Sequence, residues 1–229
     1  DSTLGLRIQP SSESRLKSAR LNCISDFRCK TVIDVGANSG QWASNLRKAG
    51  YAGLIVSYEP TSNFERLRKK ASGDKLWETR CVALSNQIGT GNIFLSSNKN
   101  LSASLLRPKA ILDQGFNINF ESELCVSISR LDEENIEGDN LYLKIDTQGN
   151  ESKILEGADG IFDRISVIEF ESALIELYEG EKLHYEIANW LVDRKFSPYQ
   201  LVITHWDSQL RTISMDSIFI KNSSFLATS

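Results

Sequence analysis

Asp34, Gly36, Asn38 and Gly40 alternate through Thr31-Val-Ile-Asp-Val-Gly-Ala-Asn-Ser-Gly40, and an acid, Glu59, stands nineteen residues beyond the second glycine. A glycine turn straight after a β-branched run lets the backbone pass close to a ligand. A carboxylate at the tip of the next strand is placed to accept bonds from both hydroxyls of a ribose. The chemistry implied is capture of a nucleoside-bearing cofactor. Two more acids, Asp146 and Glu171, close the apolar runs Asn140–Ile145 and Ser166–Phe170. Carboxylates delivered to the carboxyl edge of a parallel sheet reach the place where ligands bind, and there they can take a proton from a hydroxyl. Glu169 and Glu171 share a strand face by alternation, and two acids in an apolar strand must be paired or open onto a polar pocket. His184 and His205, the two histidines of the chain, are the other groups that titrate near neutral pH.

What the turn lacks narrows the cofactor. A dinucleotide fingerprint needs a further glycine where Asn38 stands, and no Gly-Lys-Ser/Thr follows to cradle a triphosphate. The remaining pattern, Asp34-x-Gly36-x-Asn38-x-Gly40, resembles the first motif of class I S-adenosylmethionine methyltransferases, whose cofactor has an amino-acid tail in place of phosphates. Tyr58-Glu59-Pro60, Leu143-Lys-Ile-Asp-Thr-Gln-Gly-Asn-Glu151, Ile168-Glu-Phe-Glu171 and Leu177-Tyr-Glu-Gly180 follow in order. Together the five are similar to the FkbM family of methyltransferases, from about Thr31 to the C-terminus.

The resemblance implies an α/β, Rossmann-like fold: a seven-stranded, mostly parallel sheet with helices on both faces and an antiparallel last strand. It implies S-adenosylmethionine as cofactor, held by Asp34, Gly36, Ala37, Asn38, Gly40 and Gln41 at the turn and by Glu59 and Pro60 at the ribose. Ala83, Leu84 and Ser85 stand beside the adenine and Asp146 beside the methyl group. The implied activity is methylation of a hydroxyl oxygen on a small-molecule or glycan acceptor, a sugar or polyketide. Glu171 and His205 are the alternatives to Asp146 as base. Magnesium held by Asp146 and Glu171 would be a further route, but the ligand spacing does not indicate a metal site. Two rival readings are a cofactor-binding protein without transfer activity and a nucleotide or NAD enzyme on a related fold; the missing glycine counts against the latter.

The elements that must position these residues follow from periodicity. Residues 1–30 form an N-terminal helical segment, with a helix over 11–26 expected to cover one end of the cofactor site. Residues 31–229 form the main domain. Helices are predicted over 41–49, 61–72, 151–162 and 182–195, the last with Ile187, Trp190 and Leu191 inward. Strands are predicted over 31–35, 54–59, 79–85, 93–96, 124–129, 140–146, 166–171, 200–204 and 217–220, with 89–92 a turn. His184 and His205 are expected at the acceptor edge. The polar insertion 97–123 carries Leu105, Leu106, Ile111, Leu112, Phe116 and Phe120, apolar surface that must cover something. It is expected to form a lid over the acceptor pocket and not over the adenine.

Composition sets the outer bounds. With 229 residues, 41% of them apolar, the chain can fill the core of one α/β domain. A net charge of −4 with mixed signs argues against nucleic acid as a partner, and the basic run Arg66–Lys70 reads as a solvated helix face. No apolar run has the length of a membrane span. Cys23, Cys29, Cys81 and Cys125 lack metal spacing and read as reduced, buried thiols of a cytoplasmic protein. The chain begins at Asp1 and not at methionine, which leaves room for a preceding segment, and its oligomeric state is not legible.

Overall fold

The computed structural model of the chain describes residues 11–222. Strand β1 (Thr31–Val35) is buried along its whole length, as its β-branched run requires. It lies between β2 (Leu54–Tyr58) and β7 (Leu141–Ile145), both parallel to it. The main sheet has the order β3-β2-β1-β7-β8-β10-β9, with β3 at Trp77–Arg80, β8 at Ile165–Ala173, β9 at Phe196–Trp206 and β10 at Thr212–Lys221. Strands β3, β2, β1, β7 and β8 run parallel; β10 is antiparallel to both neighbours, so β9 again runs with β8. The strand order reverses between β1 and β7, and the crevice beyond their carboxyl ends is where an open α/β sheet binds its ligand.

Helices cover both faces. Leu16 of α1 (Ser12–Asp26), Ala43 and Leu46 of α2 (Gln41–Lys48) and Leu67 of α3 (Phe64–Ala71) pack with Val32, Ile55 and Tyr142. On the other face, Ile154 and Leu155 of α5 (Glu151–Glu156) and Ile187 and Leu191 of α6 (His184–Asp193) pack with Ile33, Leu143 and Ile168. A second sheet of order β4-β6-β5, made of Ala83–Leu84, Phe120–Ser129 and Gly89–Ser96, stands beside the crevice, and α4 (Ala110–Phe116) lies in the β5–β6 connection.

Several expectations are corrected. The run predicted as one strand over 79–85 is two: β3 stops at Arg80, and Ala83–Leu84 leaves the main sheet to pair with Ile128 and Ser129. Gly89–Asn92 is strand, not turn, because it pairs with Cys125–Ile128. The helix expected over 151–162 stops at Glu156, and a 3-10 turn occupies Asp159–Arg164. Helix α1 packs mainly on β9 and β10, at the antiparallel end of the sheet, and lends no residue to the crevice beyond the glycine turn; residues 1–10 of the predicted N-terminal segment lie outside the described residues. All four cysteines are free, but only Cys23 and Cys29 are buried. Cys81 falls in the break between β3 and β4, and Cys125 alternates outward from the buried Val126 and Ile128.

Candidate active site

The turn after β1 is built by backbone. Gly36, Asn38 and Gly40 all have positive φ, at 75°, 49° and 76°. A side chain at Gly36 would put its Cβ 1.9 Å from the Asp146 carbonyl oxygen, and one at Gly40 would meet Leu67 and Trp77. The amides of Gly36 and Ala37 both donate to the Tyr58 carbonyl, at 3.1 and 2.9 Å, which ties the turn to the end of β2. Glu59 fastens it further: Oε2 accepts from the Asn38 amide at 2.8 Å, and Oε1 accepts from the Thr61 amide at 2.9 Å and its hydroxyl at 2.5 Å. Burial raises the Glu59 carboxyl above its ordinary range, against the pull of the bonds from Thr61 and Asn38.

Behind the turn runs a buried polar row. Asp34, fully buried, accepts from the Ser57 hydroxyl at 3.2 Å and has the Lys144 ammonium 3.2 Å from Oδ1. Lys144 also stands 3.5 Å from Asp146 Oδ2 and 3.4 Å from the Gly36 carbonyl. Burial by itself would lower the Lys144 ammonium; Asp34 and Asp146 outweigh it and hold it above its ordinary value.

Two cavities meet at the carboxyl edge of β7. The first is walled by the glycine turn, by Tyr58 to Thr61, and by Val82, Ala83 and Leu84. Of the residues expected at the cofactor, Gly36, Asn38, Glu59, Pro60, Ala83, Leu84 and Asp146 line it. Asp34, Ala37, Gly40, Gln41 and Ser85 do not: Asp34 is spent on Lys144 and Ser57, Ala37 and Ser85 are buried, Gly40 packs on Leu67 and Trp77, and the exposed Gln41 donates its side-chain amide to Asn38 Oδ1 at 3.3 Å. Asn150 also borders this cavity; its Nδ2 donates to the Leu84 carbonyl at 2.9 Å, while its buried Oδ1 has no partner among the described residues.

The second cavity, about 330 Å³, is lined by Asp146, Gln148, Glu171 and His205 together with Glu151, Tyr178 and Glu181. Asp146 and Gln148 border both. The Gln148 amide donates to Asp146 Oδ1 at 3.1 Å and to Glu171 Oε2 at 3.2 Å. The Ser214 hydroxyl donates to Glu171 Oε1 at 3.1 Å and lies 2.8 Å from His205 Nδ1, which itself is 3.3 Å from Glu171 Oε1. With its proton given to Glu171, Ser214 accepts from Nδ1–H, so the Nε2 nitrogen carries the free lone pair. The bond to Glu171 raises His205 above the usual histidine value. Glu171 lies below its ordinary range: burial pushes it up, but bonds from His205, Ser214 and Gln148 prevail. Asp146 is raised, by burial first and by the nearby Glu171 charge, against Lys144.

The insertion covers both cavities, which corrects the expectation of a lid over the acceptor side alone. Asn100, Leu101, Ala103 and Leu105 wall the first, and Leu101, Ser102, Leu112 and Phe116 the second. Polar bonds hold it there: Asn63 Nδ2 donates to the Lys99 carbonyl at 3.0 Å, Ser104 Oγ to the Gln148 carbonyl at 2.6 Å, and Tyr178 OH to the Ser102 carbonyl at 3.0 Å. His184 is not at the acceptor edge. It is buried, its Nδ1 is 2.9 Å from Ser172 Oγ, it stacks on Phe170, and burial lowers its pKa. Glu169 is likewise spent, on Arg20 at 2.5 and 2.8 Å and on the Tyr142 hydroxyl.

The family model described as the methyltransferase FkbM domain matches residues 34–198. The chain belongs to the FkbM methyltransferase family. It therefore carries that family's S-adenosylmethionine-dependent methyltransferase domain. Among solved structures, this FkbM domain is similar to the methyltransferase domain of a bacterial Hen1 (13% identity, 92% of this chain and 100% of that one, TM-score 0.49). It is similar to an S-adenosylmethionine-dependent methyltransferase from Aquifex aeolicus (13% identity, 92% and 89%, TM-score 0.46). A third is the magnesium protoporphyrin IX methyltransferase of Synechocystis (11% identity, 96% and 86%, TM-score 0.44). A search of curated protein sequences finds no significant match.

The residues of the first cavity fit the family's cofactor. A carboxylate at the β2 tip and the unpartnered Asn150 Oδ1 are hydrogen-bond acceptors, and the small and apolar side chains at 82–84 a surface for a flat ring, of the kinds an adenosine needs. Among the described residues no group of three or more His, Cys, Asp or Glu is disposed to hold a metal ion. Sequence reasoning missed Lys144, Gln148, Asn150 and Ser214. Lys144, Gln148 and Asn150 all lie inside the motif Leu143–Glu151, and Lys144 had a further signal as a lysine within the apolar run Leu141–Ile145; Ser214 had none.

Proposed function

We propose that this FkbM protein methylates a hydroxyl oxygen of a sugar, glycan or polyketide-type acceptor, with the cofactor in the first cavity and the acceptor in the second. The observation that carries this reading is the shared wall: Asp146 and Gln148 border both cavities, and Glu171 with His205 stands on the acceptor side of them. Bound S-adenosylmethionine supplies a methyl group on a sulfonium, an electrophile that needs no further activation.

The chain's own residues then have two tasks. The lid and the walls hold the hydroxyl oxygen in line and exclude water, and such positioning alone supplies much of an acceleration. The second task is the proton. An alcohol is too weak an acid to lose it unaided near neutrality, so a base must take it as the oxygen forms its new bond. His205 Nε2 is suited to this, because Nδ1 is turned to Ser214 and Glu171, and the Glu171 carboxylate stabilises the imidazolium that results. Asp146, beside Lys144, orients Gln148 at the junction of the two cavities.

Transfer of a labelled methyl group to a panel of sugars, lipid-linked glycans and polyketides tests the reading. His205→Asn and Glu171→Gln are expected to keep cofactor affinity and to slow turnover by about 10²–10⁴-fold. Both variants working at the wild-type rate would remove the base from this pair and return it to Asp146. Cofactor binding without transfer to any hydroxyl would leave a binding protein.

A further inference from the structure

The second cavity has a charge pattern that the transfer of a methyl group does not explain. Four carboxyl side chains line it, Asp146, Glu151, Glu171 and Glu181, and no lysine or arginine among the described residues does. Two of the four already have partners of opposite charge, Asp146 in Lys144 and Glu171 in His205. The other two have no ion-pair partner within 4 Å among the described residues, although the more distant Lys109 charge acts on Glu181. Glu151 accepts through Oε1 from the amides of Thr147 and Gly149, and Glu181 through Oε1 from the amides of Leu177 and Tyr178. Glu181 is 8% exposed, and among the described residues no donor is bonded to its Oε2, which stands by Gly149 on the same wall. Two amides thus fill Oε1, while Oε2 is left on the cavity wall, where a donor or a cation of a ligand can reach it. Burial and the neighbouring Glu181 and Asp146 push Glu151 up to about 8. Across from the acids, Leu101, Leu112, Phe116 and Leu177 give an apolar wall suited to the C–H face of a sugar ring.

We propose that this cavity receives an acceptor bearing an ammonium group near its reacting hydroxyl, as an amino sugar does, with Glu181 and Glu151 as the anionic partners of that group. The inference rests on the reading of the cavity as the acceptor site. An ammonium supplies the donors that Glu181 Oε2 lacks and a positive charge beside Glu181 and Glu151, which favours the ionised form of a Glu151 that burial otherwise pushes up to about 8. A phosphorylated or carboxylated acceptor would meet those acids unshielded, and the cavity turns it away.

Calorimetric titration of the full chain loaded with S-adenosylhomocysteine tests this, using galactosamine and kanamycin, each beside its N-acetylated form. Each free amine is expected to bind at least roughly tenfold more tightly than its acetylated partner, the gain of one charge-assisted bond. Glu181→Gln keeps an acceptor for the amides of Leu177 and Tyr178, so it should erase that preference and leave the affinity for S-adenosylhomocysteine unchanged. Glu151→Gln provides the same comparison should circular dichroism show Glu181→Gln unfolded. Equal affinity for amine and acetylated forms, or a preference that survives the carboxamide variants, overturns the inference. Failure of the underlying reading looks different: S-adenosylhomocysteine does not bind, or amine selectivity holds while no hydroxyl in the panel accepts a labelled methyl group.

Discussion

Glu59→Gln separates two roles that the geometry gives one carboxylate. Three donors converge on it, the Asn38 amide on Oε2 and the Thr61 amide and hydroxyl on Oε1, and the side chain is 5% exposed. A carboxamide has one acceptor end. If its oxygen faces Thr61, its NH₂ meets the Asn38 amide, and one buried donor is left without a partner at a cost of about 1–3 kcal/mol. For a chain of this length that is a fall in Tm of roughly 2–10 °C. The second role is toward the cofactor. If the ribose hydroxyls donate to the remaining lone pairs of Glu59, the variant loses charge-assisted bonds of about 1.5–3 kcal/mol, so Kd should rise roughly tenfold to a hundredfold. Calorimetric titration with S-adenosylmethionine, beside a thermal melt of the same samples, reads both. A lower Tm with unchanged Kd would show that Glu59 only fastens the turn, and would refute its assignment to the ribose.

Three further outcomes follow from the same geometry. The rate of transfer should rise with pH through a value above the ordinary 6.5 of histidine, because His205 must be neutral to accept a proton and Glu171 raises it; Glu171→Gln should move that limb toward lower pH, and a limb that stays put would separate the two residues. Gly36→Ala places a Cβ 1.9 Å from the Asp146 carbonyl at a φ of +75°, so it should destabilise the fold by about 3 kcal/mol or more in urea unfolding and abolish cofactor binding. Because the lid walls both cavities, hydrogen exchange over residues 97–106 should slow with S-adenosylhomocysteine alone and slow further with an acceptor; no change on adding the cofactor product would place the lid over the acceptor only.

The parts of the fold that were legible are those where local pattern and tertiary outcome agree. The buried run Val32–Val35, the helix stop before Gly50 and the helix over 11–26 each carry their own signal, and each is found within a residue or two. The break between β3 and β4 has no such signal. Thr79–Ser85 has the propensity of one strand, and only the presence of Ile128 and Ser129 as partners draws Ala83 and Leu84 into another sheet. The lid was misplaced for a similar reason. Its position is set by side-chain bonds to carbonyls, from Asn63 and Tyr178 to the loop and from Ser104 out of it, which leave no periodic trace. Asp34 looked like a cofactor ligand because it belongs to the motif. Register decides otherwise, since Asp34 pairs with Lys144 across β1 and β7, and Lys144 with Glu169 across β7 and β8.

That same register explains why two acids on one strand face have opposite fates. Glu169 lies level with the Lys144 row, beneath α1, where the guanidinium of Arg20, 149 residues away in sequence, and the Tyr142 hydroxyl fill its lone pairs. Its carboxylate is held below the ordinary range in spite of burial, with nothing left for a ligand. Glu171, one pleat further, has passed the end of β7, so its neighbours are loop and edge-strand groups: Gln148, Ser214 and His205. A single step of two residues along β8 thus carries a carboxylate from the closed interior to the cavity wall. Alternation predicts that both acids share a face, but the length of the neighbouring strand decides which of them reaches the cavity wall.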